Sequence, residues 1–171
     1  MPIKQIDLND SDFNNCLMSF FYLSNPYDLK KGSSLSSIEA SKRVLFDDIG
    51  HFDFGICHYE NDGTPSLYSF FSIGERGESI YLNYIFPNTN FPPNRNIKKY
   101  KIAFCKSFLY IYEKTGLSLV KADIRRKNRV SSFIKLIDRF LPPVDLFKDE
   151  NGEMSIVRIE KEKVLDFYEK M

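Results

Sequence analysis

Few side chains in this sequence can move a proton at neutral pH. It has 171 residues and two histidines, His51 and His58. Histidine is the side chain that ordinarily titrates between pH 5 and 8. Both lie in a strand-like run, HFDFGICHY (51–59), an odd number of positions apart. They therefore point to opposite faces of a sheet. One can reach a cleft between sheet and helices, the alternative being a half-exposed histidine at a strand end. His58 is the candidate base. Asn83 sits in the middle of another strand-like run, SIYLNYIF (79–86), where period-2 alternation groups it with Tyr81 and Ile85. A polar amide there needs partners, supplied by neighbouring loops or by a ligand. It cannot accept a proton, but it can orient a group or donate to an oxyanion. Asp28 follows Pro26 and Tyr27 in SNPYDLKKGSS (24–34). A carboxylate titrating near 4 is a weak base, and turn chemistry alone also explains an aspartate there.

Basic residues form two groups: Lys98, Lys99 and Lys101, then Arg125, Arg126, Lys127 and Arg129. The first opens a helix after a strand and a proline-bearing loop, PNTNFPPN (87–94). A helix start of this kind can hold an anion on its free N–H groups. Together the two groups form either a positive mouth that attracts an acidic partner or a solvated basic surface.

These candidates need a scaffold, and the composition is that of one globular domain spanning residues 1–171. Hydrophobic residues make up 43% and charged residues 27%, with 16 Phe, 10 Tyr and no Trp. The net charge of +1 names no partner by itself. With no helix-turn-helix or stacking-aromatic motif, it argues against nucleic acid. Cys16, Cys57 and Cys105 are odd in number and far apart, so the expectation is reduced, buried thiols with no metal site. No apolar run is long enough to span a membrane, and no signal peptide is evident. The expected location is cytoplasmic.

Hydrophobic spacing predicts helices over 11–23 and from 36 or 37 to about 50. Strands follow over 51–59, 66–73 and 79–86, joined by the turns ENDGTP (60–65) and GERGE (74–78). A long helix is predicted over 95–115, with Ile102, Phe108, Leu109 and Tyr112 inward and Gly116 as its stop. A strand over 117–124, a helix over 128–140, a hairpin (144–148 and 154–159) and a short charged helix complete the order ααβββαβαββα. This is an α+β chain with one central, mainly antiparallel sheet.

That order resembles the GNAT acetyltransferase fold over most of the chain. NRVSSFIKLIDRF (128–140) is similar to the fourth helix of that fold, with Asn128 and Phe140 at the matching separation. Arg139 stands where glycine is usual, and Lys135 where a tyrosine often serves as general acid. The family's phosphate loop, (Gln or Arg)-x-x-Gly-x-(Gly or Ala), aligns with RNIKKY (95–100). Both small residues are replaced, by Lys98 and Tyr100, whose side chains are expected to crowd a pyrophosphate.

Two further stretches resemble the RTX toxin-activating lysine acyltransferases, a branch that takes its acyl chain from acyl carrier protein. LSNPYDLKKGSSLS (23–36) is similar to the family's N-terminal Ser-Ser-Pro-x-His segment, and YLNYIFPN (81–88) to its Ile-Asp-Trp-Ile-Ala-Pro-Phe segment. The family's catalytic His falls at Asp28 and its catalytic Asp at Asn83. The resemblance implies acyl transfer from acyl carrier protein onto a protoxin or peptide, with no bound cofactor and a homodimer or partner subunit. Taken with the residues above, the candidates for catalysis are Asp28, Asn83 and His58, and those for donor binding are Tyr27, Lys98, Lys99, Arg125, Arg126 and Asn128. With the His and Asp replaced, the alternative is a catalytically degenerate binding subunit or adaptor in toxin or microcin maturation.

Overall fold

A computed structural model describes residues 3–6, 11–23, 37–43, 52–88, 97–125, 145–148 and 154–171. The elements are β1 (Ile3–Gln5), α1 (Ser11–Leu23), α2 (Ser37–Lys42), β2 (Phe54–Tyr59), β3 (Pro65–Ile73), β4 (Ile80–Pro87), α3 (Ile97–Thr115), β5 (Leu119–Arg125), β6 (Asp145–Lys148), β7 (Met154–Glu160) and α4 (Lys161–Glu169). The predicted helix over 128–140 lies outside the described residues. No described helix is long and apolar enough to cross a membrane.

The strands form one seven-stranded sheet in the order β1-β2-β3-β4-β5-β7-β6. All neighbours are antiparallel except β4 and β5, which run parallel. The α+β arrangement and the β2-β3-β4 meander therefore follow the sequence signals. Gly63 and Gly77 adopt positive φ in the two connecting turns, where a side chain would be strained. The first turn closes through the Glu60 N–H donating to the Thr64 carbonyl at 2.9 Å, and the Thr64 N–H donating to Asp62 Oδ1 at 2.9 Å. The edge strand β1 was not expected; its three residues pair with Ile56, Cys57 and His58.

Alternation along the strands builds two cores. On one face Ile56, Leu67, Phe71, Ile80, Leu82, Val120, Val157 and Ile159 pack against α3 and α4. On the other, Cys57, Tyr68, Phe70 and Phe86 pack against Phe13, Cys16 and Leu17 of α1. All three cysteines are buried thiols.

The buried stripe of α3 differs from the expected one. Tyr100, Ala103, Phe104, Ser107, Phe108 and Ile111 are buried, with Cys105 and Tyr112 beside them. Ile102 and Leu109 are only partly covered. The helix is rotated toward the larger aromatic set, and Phe108 meets Phe71 edge-on at 6.0 Å between ring centroids. Tyr112 donates its hydroxyl to the Ile159 carbonyl at 2.7 Å, tying α3 to β7. Phe108→Ala should lower unfolding free energy by about 3–5 kcal/mol, and Tyr112→Phe by about 1–2 kcal/mol. Ile102→Ala should cost less than either, with urea denaturation as the measurement.

Candidate active site

The parallel pair is where the sheet opens. β4 and β5 share only two register pairs, Ile80↔Val120 and Tyr81↔Lys121. Beyond them β4 continues to Pro87 beside β3, and β5 continues to Arg125 beside β7. The two strands part toward their C-terminal ends and leave a fork. The connection from β4 to β5 runs through α3, so the first turn of α3 stands at the fork's open end.

Two residues into the fork, β4 carries an irregularity. Phe70 pairs with Tyr84 but Phe71 pairs with Leu82, which leaves Asn83 as the extra residue of a β-bulge. The bulge corrects the face assigned by simple alternation. Leu82 and Ile85 both join the α3-side core, and Tyr84 joins the α1-side core. Asn83 receives a hydrogen bond from Ser72 Oγ to its Oδ1 at 2.9 Å. Ser72 pairs with Tyr81, so Asn83 keeps company with Tyr81 but not with Ile85.

The end of the β4 arm is fixed by Asn88, which is 3% exposed. Its Nδ2 donates to the Pro65 carbonyl at 2.8 Å and its backbone N–H to the Ser66 carbonyl at 3.0 Å. Ser19 of α1 donates to its Oδ1 at 3.4 Å. Neither Asn88 nor Ser72 stood out in the sequence. The signal for Asn88 was an amide just after the strand-ending Pro87.

His58 faces the α3 side and is 5% exposed. Ser66 Oγ donates to the His58 carbonyl oxygen at 3.1 Å and lies 2.9 Å from His58 Nδ1. The serine has one hydrogen and spends it on the carbonyl, so Nδ1–H is the donor in the second contact. Nε2 therefore carries the lone pair, buried and without a hydrogen-bond partner among the described residues. Burial pushes the imidazole pKa down to about 4; Glu60 opposes this and Lys106 adds to it. At neutral pH Nε2 is an acceptor, but a weakly basic one under α3.

Lys98 and Lys99 are exposed on the first turn of α3. Lys99 Nζ lies 3.4 Å from Glu60 Oε2. Tyr100 points inward and is 3% exposed. Burial, with Glu60 adding to it, pushes its hydroxyl pKa up to about 12. Its ring therefore does not stand out at the helix end, as the alignment with the family loop implied; of the two replaced small positions, only Lys98 stands at the surface. Arg125 ends β5, at the same end of the sheet as these lysines because β4 and β5 are parallel. Tyr27, Asp28, His51, Arg126 and Asn128 lie outside the described residues. Among the described residues, no group of three His, Cys, Asp or Glu could hold a metal ion.

A seven-stranded sheet that forks at a single parallel pair, with a bulged strand on one arm, can be compared with solved structures. An uncharacterized protein from Bacillus halodurans is similar over 98% of this chain and 88% of its own, at 9% identity and a TM-score of 0.63. A spermidine N-acetyltransferase chimera from Vibrio cholerae matches over 96% and 99%, at 11% identity and a TM-score of 0.55. A GNAT-family acetyltransferase from Bacillus anthracis matches over 94% of both chains, at 11% identity and a TM-score of 0.53. The chain has the GNAT acetyltransferase fold. No protein-family model matches the sequence, and no curated protein matches it. Within the GNAT fold the fork and the bulge at Asn83 are the candidate site, and His58 lies two strands away from β4.

The neutral, buried His58 makes stability depend on pH. Its folded pKa is depressed below the ordinary 6.5, so the unfolded chain binds a proton that the folded chain refuses. The resulting stabilisation is complete above pH 6.5 and is lost as pH falls from there toward 4. The loss should be on the order of 3 kcal/mol. Denaturation midpoints between pH 7.5 and 4.5 should show it, and His58→Gln should flatten that part of the profile.

Proposed function

We propose that this chain is an acyltransferase that modifies a protein or peptide toxin, using an acyl group carried on acyl carrier protein. The observation that carries acyl transfer is the fork itself, with β4 bulged at Asn83 two residues beyond the last β4–β5 pair. An extended thioester arm fits between diverging strands, whose facing edges hold backbone groups that can bond to it. The acceptor nitrogen attacks the thioester carbonyl, a C–N bond forms, and the C–S bond breaks. The amine proton passes to a base, and the thiolate leaves and is protonated. Asn83 or a β4 backbone N–H stabilises the developing oxyanion. Of the two candidate bases, His58 is buried on the opposite, α3-side face of the sheet from Asn83, which leaves Asp28 as the base of this reading.

A carrier-borne donor is favoured by the character of the α3 first turn. Lys98 and Tyr100 replace the small residues of the family loop, Lys98 and Lys99 are exposed, and the turn holds no acidic residue. Exposed cations act over about a Debye length of 10 Å, which suits docking of an acidic carrier better than enclosure of a free diphosphate. The toxin acceptor rests on the resemblance of residues 23–36 and 81–88 to the toxin-activating branch. The second reading, a binding subunit or adaptor, is favoured by the low basicity of His58 and by asparagine in place of the family's Asp.

Calorimetric titration with acylated acyl carrier protein and with acetyl-coenzyme A separates the donors. The carrier should bind, weaken steeply with salt and weaken further in Lys98→Glu; tight coenzyme A binding with no carrier response would sink the carrier-borne donor. Mass spectrometry of a candidate peptide then tests transfer. Asn83→Ala should lower kcat by about 100-fold if this side chain holds the oxyanion. Transfer that appears only with an added partner subunit would favour the adaptor.

A further inference from the structure

We infer that Ser72 is a positioning residue for Asn83, turning its amide so that N–H donors face the fork and recognise a carbonyl or oxyanion rather than an ammonium group. The inference deepens the acyl-transfer reading and rests on it for the identity of the ligand, but the geometry stands apart from it. Ser72 Oγ donates to Asn83 Oδ1 at 2.9 Å across the β3–β4 pair. That bond orients the amide plane and engages its acceptor oxygen. The remaining polar edge is Nδ2, which carries two hydrogens and no lone pair for a cation. No other hydrogen bond of the Asn83 side chain falls among the described residues. An aspartate here could receive an ammonium; an asparagine anchored through its oxygen presents the opposite polarity.

The location makes the orientation useful. Asn83 is the extra residue of the bulge, so its side chain is set by the Ser72 contact and not by a regular cross-strand partner. Both residues are partly buried, so Nδ2 can be reached. Gly74 helps to keep it so. Tyr81 pairs with Ser72 and shares its face, and a Cβ at Gly74 would lie 2.9 Å from Tyr81 Cε2. The tyrosine ring thus leans over the glycine, toward the start of β4 and away from Asn83. A side chain at 74 would drive the ring back over the Ser72–Asn83 pair. Glycine is needed here for space, not for its φ.

The test uses the full chain labelled with 15N. The Asn83 side-chain NH2 resonances are identified by their loss in Asn83→Asp. Ser72→Ala should move or broaden that pair, and Ser72→Thr, which keeps the hydroxyl, should restore it. Acetyl-coenzyme A or an acylated carrier should perturb the pair, and butylamine should not. In turnover, Ser72→Ala should lower kcat by about tenfold with little change in KM, again restored by Ser72→Thr. Gly74→Ala should raise KM. An NH2 pair indifferent to Ser72→Ala, or one that answers butylamine and not the thioester, would overturn the inference. If no donor supports turnover while the NH2 pair responds as expected, the acyl-transfer reading fails and the positioning role stands.

Discussion

The architecture turns on a ladder that stops early. β4 and β5 pair at two positions and then separate, so each arm must find its stability elsewhere. β4 stays zipped to β3 up to Pro87, and β5 to β7 up to Arg125. Backbone groups facing the gap lose a strand partner, and buried ones must be satisfied some other way. Pro87 removes one donor from the problem at the tip of β4. Asn88 closes the same tip with bonds to Pro65, Ser66 and Ser19, tying the arm to β3 and to α1 at once. Among the described residues, the contacts that hold each arm do not cross the opening.

Most of the scaffold was legible because it depends on local patterns. The turns at 60–65 and 74–78 carry glycines at the positions that adopt positive φ, and the alternating runs between them became neighbouring antiparallel strands. Where the pattern is too short or breaks, legibility ends. Three residues of β1 offer no period to detect. The bulge at Asn83 adds one residue to β4, and nothing in YLNYIF distinguishes a bulged strand from a regular one. Every face beyond such a point is inverted relative to simple alternation, which is why Ile85 moved to the α3-side core while Asn83 remained with Tyr81.

The chemistry of the candidate residues was less legible than their presence. Histidine was an evident base candidate, yet its basicity is set by burial, with Glu60 opposing and Lys106 adding to it, and its ring is held by Ser66, eight residues along the sequence and across the hairpin. The serine fixes the tautomer, and burial disfavours the cation. Asn83 likewise takes its polarity from Ser72, eleven residues earlier on another strand. In both cases a small hydroxyl residue of β3 decides what its neighbour can donate or accept, and serines carry no pattern that announces such a role.

The basic start of α3 follows from the core beneath it. Burying Tyr100, Phe104, Phe108 and Ile111 fixes the rotation of the helix about its axis. Lys98 is two residues from Tyr100, which is about 200° around the helix, so the packing that draws the tyrosine in turns Lys98 outward. Lys99 leans toward Glu60 of the β2–β3 turn, but its side chain remains 48% exposed. The Glu60 side chain is only 14% exposed, so the pair is half-buried and ties Lys99 to the β2–β3 turn, while Lys98 stands exposed beside it. A positive helix N-terminus with exposed cations at its rim attracts over distance without shaping a close cradle. The same aromatic packing that seats α3 on the sheet therefore selects the electrostatic character of the fork's entrance.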